Sequence, residues 1–344
     1  MSLKNLSVKI KIPKFLKDKL NNKKINQIYK KFEKSLDVNT NFAVAVSGGP
    51  DSLALAFLSK IYSIKKNLKS KFFIVDHKLR PESTEEARTV KRLLKKSFIT
   101  SKILTWKGKK PSKNIQSLAR LNRYELLFRE SDKSKIRDIL LGHHQDDLIE
   151  NFFIRMFRGS GLKGLVSLDK KVKVGNKYLL RPLIDHNKKD LVFLSKNVFN
   201  FYFQDPTNED LKYQRIKIRK LILELKKNGL DKNKFLRTIN NLKYSNEIVN
   251  FYVKENLKKN TCYFNTTNKL IINELFFKQP HEVIFRSLIE IIKFVGNKYY
   301  AVRGKKVDYI IDKLKDQTRS SFKFTLGNCI IYKVNHSIIV VKER

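Results

Sequence analysis

Between Phe42 and Phe157, short apolar runs alternate with longer stretches of helical periodicity. Phe42-Ala43-Val44-Ala45-Val46 is apolar throughout, the pattern of a strand buried on both faces. Glycines follow, then an apolar helix predicted from Asp51 to about Tyr62. Phe72-Phe73-Ile74-Val75 predicts a second strand, Ile103-Leu104 sits in a third, and Ile139-Leu140-Leu141 is a fourth. Helices are predicted over Glu82 to Lys96, Asn114 to Arg129 and Gln145 to Phe157. Strands alternating with helices argue for βαβ units, hence an α/β fold on a parallel sheet. In such sheets ligands bind at the carboxyl ends of the strands.

The alternation fades after Asp205, and a Lys-rich helix from about Tyr213 to Lys227 is expected to connect to a second, smaller α+β domain. There Val307, Ile310, Ile311 and Leu314 fall at i, i+3, i+4 and i+7, one apolar helix face. The closing stretch alternates apolar and polar around Val334-Asn335-His336 and predicts a small antiparallel meander. The expected division is 1–215, with 1–38 a basic arm or helix, and 216–344, a connector helix and binding domain.

Composition adds a partner. The 344 residues are 41% hydrophobic, with 24 Phe and 13 Tyr, enough for sizeable cores. Against 74 Lys and Arg stand 32 Asp and Glu, a formal net charge of +42. Such a surplus repels itself in a compact molecule and attracts polyanions, nucleic acid first among them. The two cysteines, Cys262 and Cys329, exclude a disulfide framework and a CxxC metal pair, as a reducing compartment would favour. No run approaches the ~18 apolar residues of a membrane span, and the start has no signal-peptide core, so a cytoplasmic, membrane-free protein is expected.

Two segments carry chemistry. Ser47-Gly48-Gly49-Pro50-Asp51-Ser52 leaves the first strand and opens a helix, where unpaired N–H groups and the helix dipole make an anion site. Gly48 and Gly49 let phosphate oxygens approach the backbone, and Ser47 and Ser52 add hydroxyls. Pro50 supplies loop geometry, while Asp51 can hold a magnesium ion bridging phosphates. An ordinary strand–turn–helix with Asp51 or Ser52 as cap is the plainer alternative. The second segment is His143-His144-Gln145-Asp146-Asp147-Leu148-Ile149-Glu150, at the end of the fourth strand. Asp147 and Glu150, three apart on a helix, share a face and can grip a cation or relay a proton. Asp146 can complete a magnesium site with Asp51. Helix-start acids satisfying the dipole are the plainer reading, and zinc is disfavoured without HExxH spacing.

Together these segments resemble the tRNA(Ile)-lysidine synthase family of the PP-loop ATP-pyrophosphatase superfamily. SGGPDS matches its ATP loop, Val75-Asp76-His77-Lys78-Leu79-Arg80 its VDHxLR strand end, and Leu118 to Tyr124 its ARxxRY helix. His143 to Glu150 matches HHxDDxxE, followed by Arg158-Gly159-Ser160-Gly161, Gly164-Leu165, Arg181-Pro182-Leu183 and Asp205-Pro206-Thr207-Asn208. The match runs from about Phe42 to Arg219 and is thin beyond. Asn151 stands where the family usually has Thr, and Arg215-Ile216-Lys217-Ile218-Arg219 replaces its RNxIR block.

The resemblance implies a PP-loop, Rossmann-like catalytic domain and a carbon–nitrogen ligase using ATP and Mg²⁺. Its substrates would be free L-lysine and the isoleucine tRNA with a CAU anticodon, the tRNA backbone being tracked by Lys and Arg of the arm, the connector and 216–344, a tRNA-binding C-terminal domain. The cytidine C2 oxygen would attack the α-phosphate, releasing pyrophosphate, and the lysine amine would then attack C2 and expel AMP. ATP would be bound by Ser47, Gly48, Gly49, Pro50, Asp51, Ser52, Val75, Asp76, His77 and Arg120. Lysine would be held by Asp147 and Glu150. Asp51, Asp147, Glu150, His143, His144 and Arg123 would form the catalytic group, and Asp51 with Asp146 the metal site. The oligomeric state, monomer or homodimer, stays open. A rival within the superfamily is a 2-thiocytidine synthetase, which needs cysteines that the catalytic half lacks. Rivals of other classes are a non-catalytic RNA-binding module and a small-molecule amide synthetase.

Overall fold

A computed structural model describes residues 12–108, 115–203, 214–297, 302–315, 322–334 and 337–343. The expectations for residues 1–11, Asn114, Asp205 to Asn208, Asn335 and His336 lie outside them. The chain divides into two compact units, Met1–Arg237 and Thr238–Arg344.

In the first unit α1 (Lys14–Leu20) and α2 (Lys23–Ser35) turn one apolar face inward, burying Leu16, Leu20, Ile25, Ile28, Tyr29 and Phe32. The basic arm is thus, from Lys14, a helical pair whose lysines lie on its other side, and the Asn22 side chain caps α2. Next come β1 (Phe42–Val46), α3 (Pro50–Lys65), β2 (Ser70–Asp76), α4 (Ser83–Lys96), β3 (Ser101–Thr105), α5 (Ile115–Lys133), β4 (Asp138–Leu140) and α6 (Gln145–Met156). After them come α7 (Leu162–Leu165), the hairpin β5 (Lys171–Val174) and β6 (Lys177–Leu180), α8 (Lys188–Phe199) and α9 (Gln214–Lys227).

The sheet runs β3-β2-β1-β4-β6-β5, with every pairing parallel except the edge pair β5–β6. In β1, Phe42, Ala43 and Val44 are fully buried, as a central parallel strand requires. The chain leaves β1 toward β2 on one side and returns to β4 on the other. A crevice opens at such a reversal, outside the carboxyl ends of β1 and β4.

Three contacts fix the elements around that crevice. Helix α8 packs along α3, and Ser195 Oγ donates to Pro50 O at 2.5 Å. Gly142, just past β4, lies so close to the loop that a Cβ there would stand 3.3 Å from the Asp51 and Ser52 backbone. Phe235 stacks on Phe153 of α6 with ring centroids 5.2 Å apart. Helix α9, the expected connector, packs on α6 within the first unit, and the division falls later, inside α10 (Lys232–Asn260).

The second unit holds β7 (Thr261–Phe264), β8 (Lys269–Ile272), α11 (His281–Val295), α12 (Gly304–Lys315), β9 (Lys323–Leu326), β10 (Cys329–Val334) and β11 (Ser337–Lys342). Its antiparallel sheet runs β7-β8-β11-β10-β9. Val307, Ile310, Ile311 and Leu314 are buried as their spacing predicts, and the closing meander is present as β9 to β11.

Candidate active site

The loop after β1 is organised by one hydroxyl. Ser52 Oγ accepts the N–H of Ser47 and of Gly48, each at 3.1 Å, and donates to Gly49 O at 2.9 Å. Gly48 has φ +87°, and a Cβ there would meet Val90 Cγ2 at 2.5 Å, so only glycine fits. Gly49 precedes α3 and Pro50 opens it, which points the first-turn N–H groups of the helix outward without intrahelical acceptors.

At the β4 end, His144 caps α6. Its Nδ1 accepts the Asp146 N–H at 3.2 Å, while Asp147 Oδ2 accepts the His144 N–H at 3.0 Å. The His144 Nε2 then lies 3.6 Å from Asp51 Oδ2 and 3.5 Å from Asp147 Oδ2. One imidazole thus links the acid of the first loop to the acid of the second. Burial alone would lower the His144 pKa, but the two carboxylates outweigh it and raise it. Burial would raise Asp51, yet His144 and Lys188 hold it below the usual carboxylate range. Asp147 is likewise lowered against its burial, by His144, His143 and Arg215. His143 is different: burial pushes it down to about 3, against the pull of Asp147.

Asp51, His143 and Asp147 face one cleft of about 350 Å³, whereas His144 lies behind its wall, between the two acids. Ser47, Gly49, Asp51 and Ser52 line it from β1, Val75 and His77 from β2, and His143 and Asp147 from β4. Arg120 and Arg123 reach it from α5, where the Arg120 guanidinium lies 5.2 Å over the Tyr124 ring. Gly48 and Pro50 shape the loop from behind.

Three predicted residues stand elsewhere. Asp76 is 1% exposed and turned into the start of α4, where Ser83 Oγ, Thr84 Oγ1 and the Lys78 N–H donate to it at 2.8–3.1 Å. It braces a turn and does not line the cleft. Asp146 points away to Lys232 at 2.7 Å, so it is not set with Asp51 as a metal pair. Glu150 shares a helix face with Asp147, as its spacing requires, but both its oxygens are taken, by Arg215 Nε at 2.9 Å and Arg219 Nε at 2.6 Å. Arg215 also reaches Asp147 Oδ1 at 3.3 Å.

Sequence reading passed over several groups. Lys188, at the start of α8, donates to Asp51 Oδ2 at 2.5 Å. Arg80, Arg215 and Phe203 line the cleft. Arg215 and Arg219 lie in a block already singled out for its departure from a family pattern, and Ile216, the departing residue, is buried at 6% exposure. At the other departure, Asn151 donates to Ser167 Oγ at 3.3 Å.

Magnesium fits one position. Asp51 Oδ1 is buried without a hydrogen-bond partner beside the phosphate loop. Magnesium commonly takes one or two carboxylates and completes its shell with phosphate oxygens and water. Among the described residues no cluster of three or more His, Cys, Asp or Glu could hold a metal by itself.

Residues 18–226 match the PP-loop domain family. The tRNA(Ile)-lysidine synthase of Wolbachia sp. subsp. Brugia malayi (strain TRS) is 33% identical over 319 residues, covering 89% of this chain and 71% of that protein. The same-named protein of Orientia tsutsugamushi (strain Boryong) is 32% identical over 324 residues, covering 90% and 71%. Among solved structures, the U34-tRNA thiolase NcsA from Methanococcus maripaludis aligns with a TM-score of 0.55 over 64% of this chain and 79% of that one. At 22% identity, that likeness is one of fold. With a phosphate-loop match over more than half its length and relatives of one name along most of the rest, this chain belongs to the tRNA(Ile)-lysidine synthase family.

Proposed function

We propose that this chain ligates L-lysine to C2 of the wobble cytidine in the isoleucine tRNA with a CAU anticodon, consuming ATP and releasing AMP and pyrophosphate. One observation carries the reading: the phosphate loop after β1 and the acidic turn after β4 open into a single cleft, with His144 between Asp51 and Asp147. A reaction that activates a base with ATP and then attacks it with an amine needs both at one place.

The first-turn amides of α3 and the Ser47 hydroxyl cradle the leaving pyrophosphate where its charge develops. Asp51 would hold magnesium through its unpartnered oxygen, and the ion would supply neutralisation of phosphate charge. Arg120 and Arg123 steady the α-phosphate or the adenylated base, and the adenine lies along Val75 to His77. The target cytidine must leave its stack to enter the cleft.

Asp147 meets the ammonium of the incoming lysine. Glu150 acts through Arg215, which it holds against Asp147. A lysine amine has a pKa near ~10.4 and must lose a proton to attack. His143, held at about 3, is too weak a base for that task, and His144 is locked between two carboxylates. Asp147 thus holds the amine, and the proton is left to solvent.

A thiolase reading fits the fold but asks for cysteine chemistry, and residues 1–261 contain no cysteine. The test is incorporation: the protein with unmodified CAU isoleucine tRNA, ATP, magnesium and labelled lysine is expected to place label on the RNA. Normal ATP and tRNA binding without label would remove the lysidine assignment.

A further inference from the structure

The sheet of the second unit is apolar on both faces. Leu270, Ile272, Ile331, Ile338 and Val340 turn inward and form one core with α11 and α12. The alternate positions should then be polar, as on an antiparallel sheet with one face in water. They are not. Pairing places Lys269, Val341, Ile330 and Thr325 in one cross-strand row, and Ile271, Ile339, Tyr332 and Lys323 in the next. The four aliphatic side chains and Tyr332 are only half-buried and lie outside that core. At the β9–β10 side the face deepens into a groove of about 520 Å³ lined in part by Lys323, Ile330, Tyr332 and Val341.

Charge selects the occupant. The outer rows carry Lys269 and Lys323, while Lys333 and Lys342 pair with the core residues Ile338 and Cys329, and none of the five strands carries an acid. A second copy laid on this face would set lysines against lysines in a chain already at +42. An apolar and aromatic sheet face rimmed by lysines instead suits RNA with unpaired bases, which stack on side chains while the cations follow the phosphates. We infer that the outer face of this sheet is a platform for unpaired nucleotides of the tRNA, apart from the base that reacts. The inference rests on the proposed tRNA substrate and adds to it a surface and a mode of contact.

The experiment uses the full chain and the unmodified tRNA at several salt concentrations. Tyr332→Ala is expected to weaken tRNA binding on the order of tenfold. Because Tyr332 is half-buried, a second variant carries Lys269→Gln and Lys323→Gln at exposed positions. It is expected to reduce the slope of log affinity against log salt by about 1.4, two contacts at ~0.7 each for single strands. ATP binding should be unchanged in both. Unaltered tRNA affinity and salt slope in both variants would overturn the platform. So would a wild-type dimer in sedimentation that Tyr332→Ala dissolves while tRNA affinity stays constant, since the face would then seat a second copy. Lysine transfer is read on the same samples. If it is absent while the variants still weaken RNA binding, the ligase reading fails and the platform stands.

Discussion

Gly142 shows how tightly two distant segments are joined. A methyl group there would press on the backbone of Asp51 and Ser52, with main-chain atoms in the way. Gly142→Ala should therefore shift the phosphate loop by a few tenths of an ångström, costing about 1 kcal/mol of stability. Titration calorimetry is expected to show ATP affinity down on the order of tenfold; unchanged affinity would mean the loop does not depend on the β4 end. The residues that sequence made legible are those whose chemistry is contiguous. Ser47 to Ser52 and His143 to Asp147 are each contiguous, so their spacing suggests a site and their joint resemblance to one family's motifs gives them roles. Lys188, Arg215 and Arg219 did not, because each acts on an acid more than sixty positions away and only folding brings them together. The inward turn of Asp76 was hidden for a different reason. It sits at a strand end, where ligands bind, yet the serine and threonine seven and eight residues on turn it inward.

At the scale of elements, the four expected strands and the helices between them are present near their expected bounds, because buried parallel strands are uniformly apolar. The β5–β6 hairpin was not legible. Its short strands carry lysines, and one of these, Lys177, is 2% exposed, held by Asp132 at 2.5 Å and the Ile136 carbonyl at 2.7 Å. No periodicity signals a buried lysine. The turn between β6 and α8 offers a pH test. His186 there is 1% exposed, and burial pushes its pKa down to about 4. Its neutral form favours the fold, so its contribution is complete above pH ~6.5 and is lost as pH falls toward 4, up to about 3 kcal/mol. His186→Gln should flatten the fall of the urea unfolding midpoint across that window. A slope identical to wild type would show that His186 carries no such linkage.

For the whole molecule, the parallel sheet sets the reversal at β1 and β4, the reversal opens the crevice, and the glycines let both loops enter it. The net charge says that a polyanion comes to this chain, and the cleft says what chemistry could await it. Charge alone would suit many RNA-binding proteins; the combination with an acid held beside a phosphate loop does not. The central claim is that ATP activation and amine attack share this cleft but use different acids. The direct measurement is a pair of single-turnover assays on Asp147→Asn with the CAU isoleucine tRNA: pyrophosphate released from ATP, and labelled lysine joined to RNA. We expect pyrophosphate release within a few-fold of wild type and lysine transfer lower by at least about a hundredfold, the loss of roughly 2.7 kcal/mol in the second transition state. Equal loss of both activities would place Asp147 at the nucleotide and contradict the account.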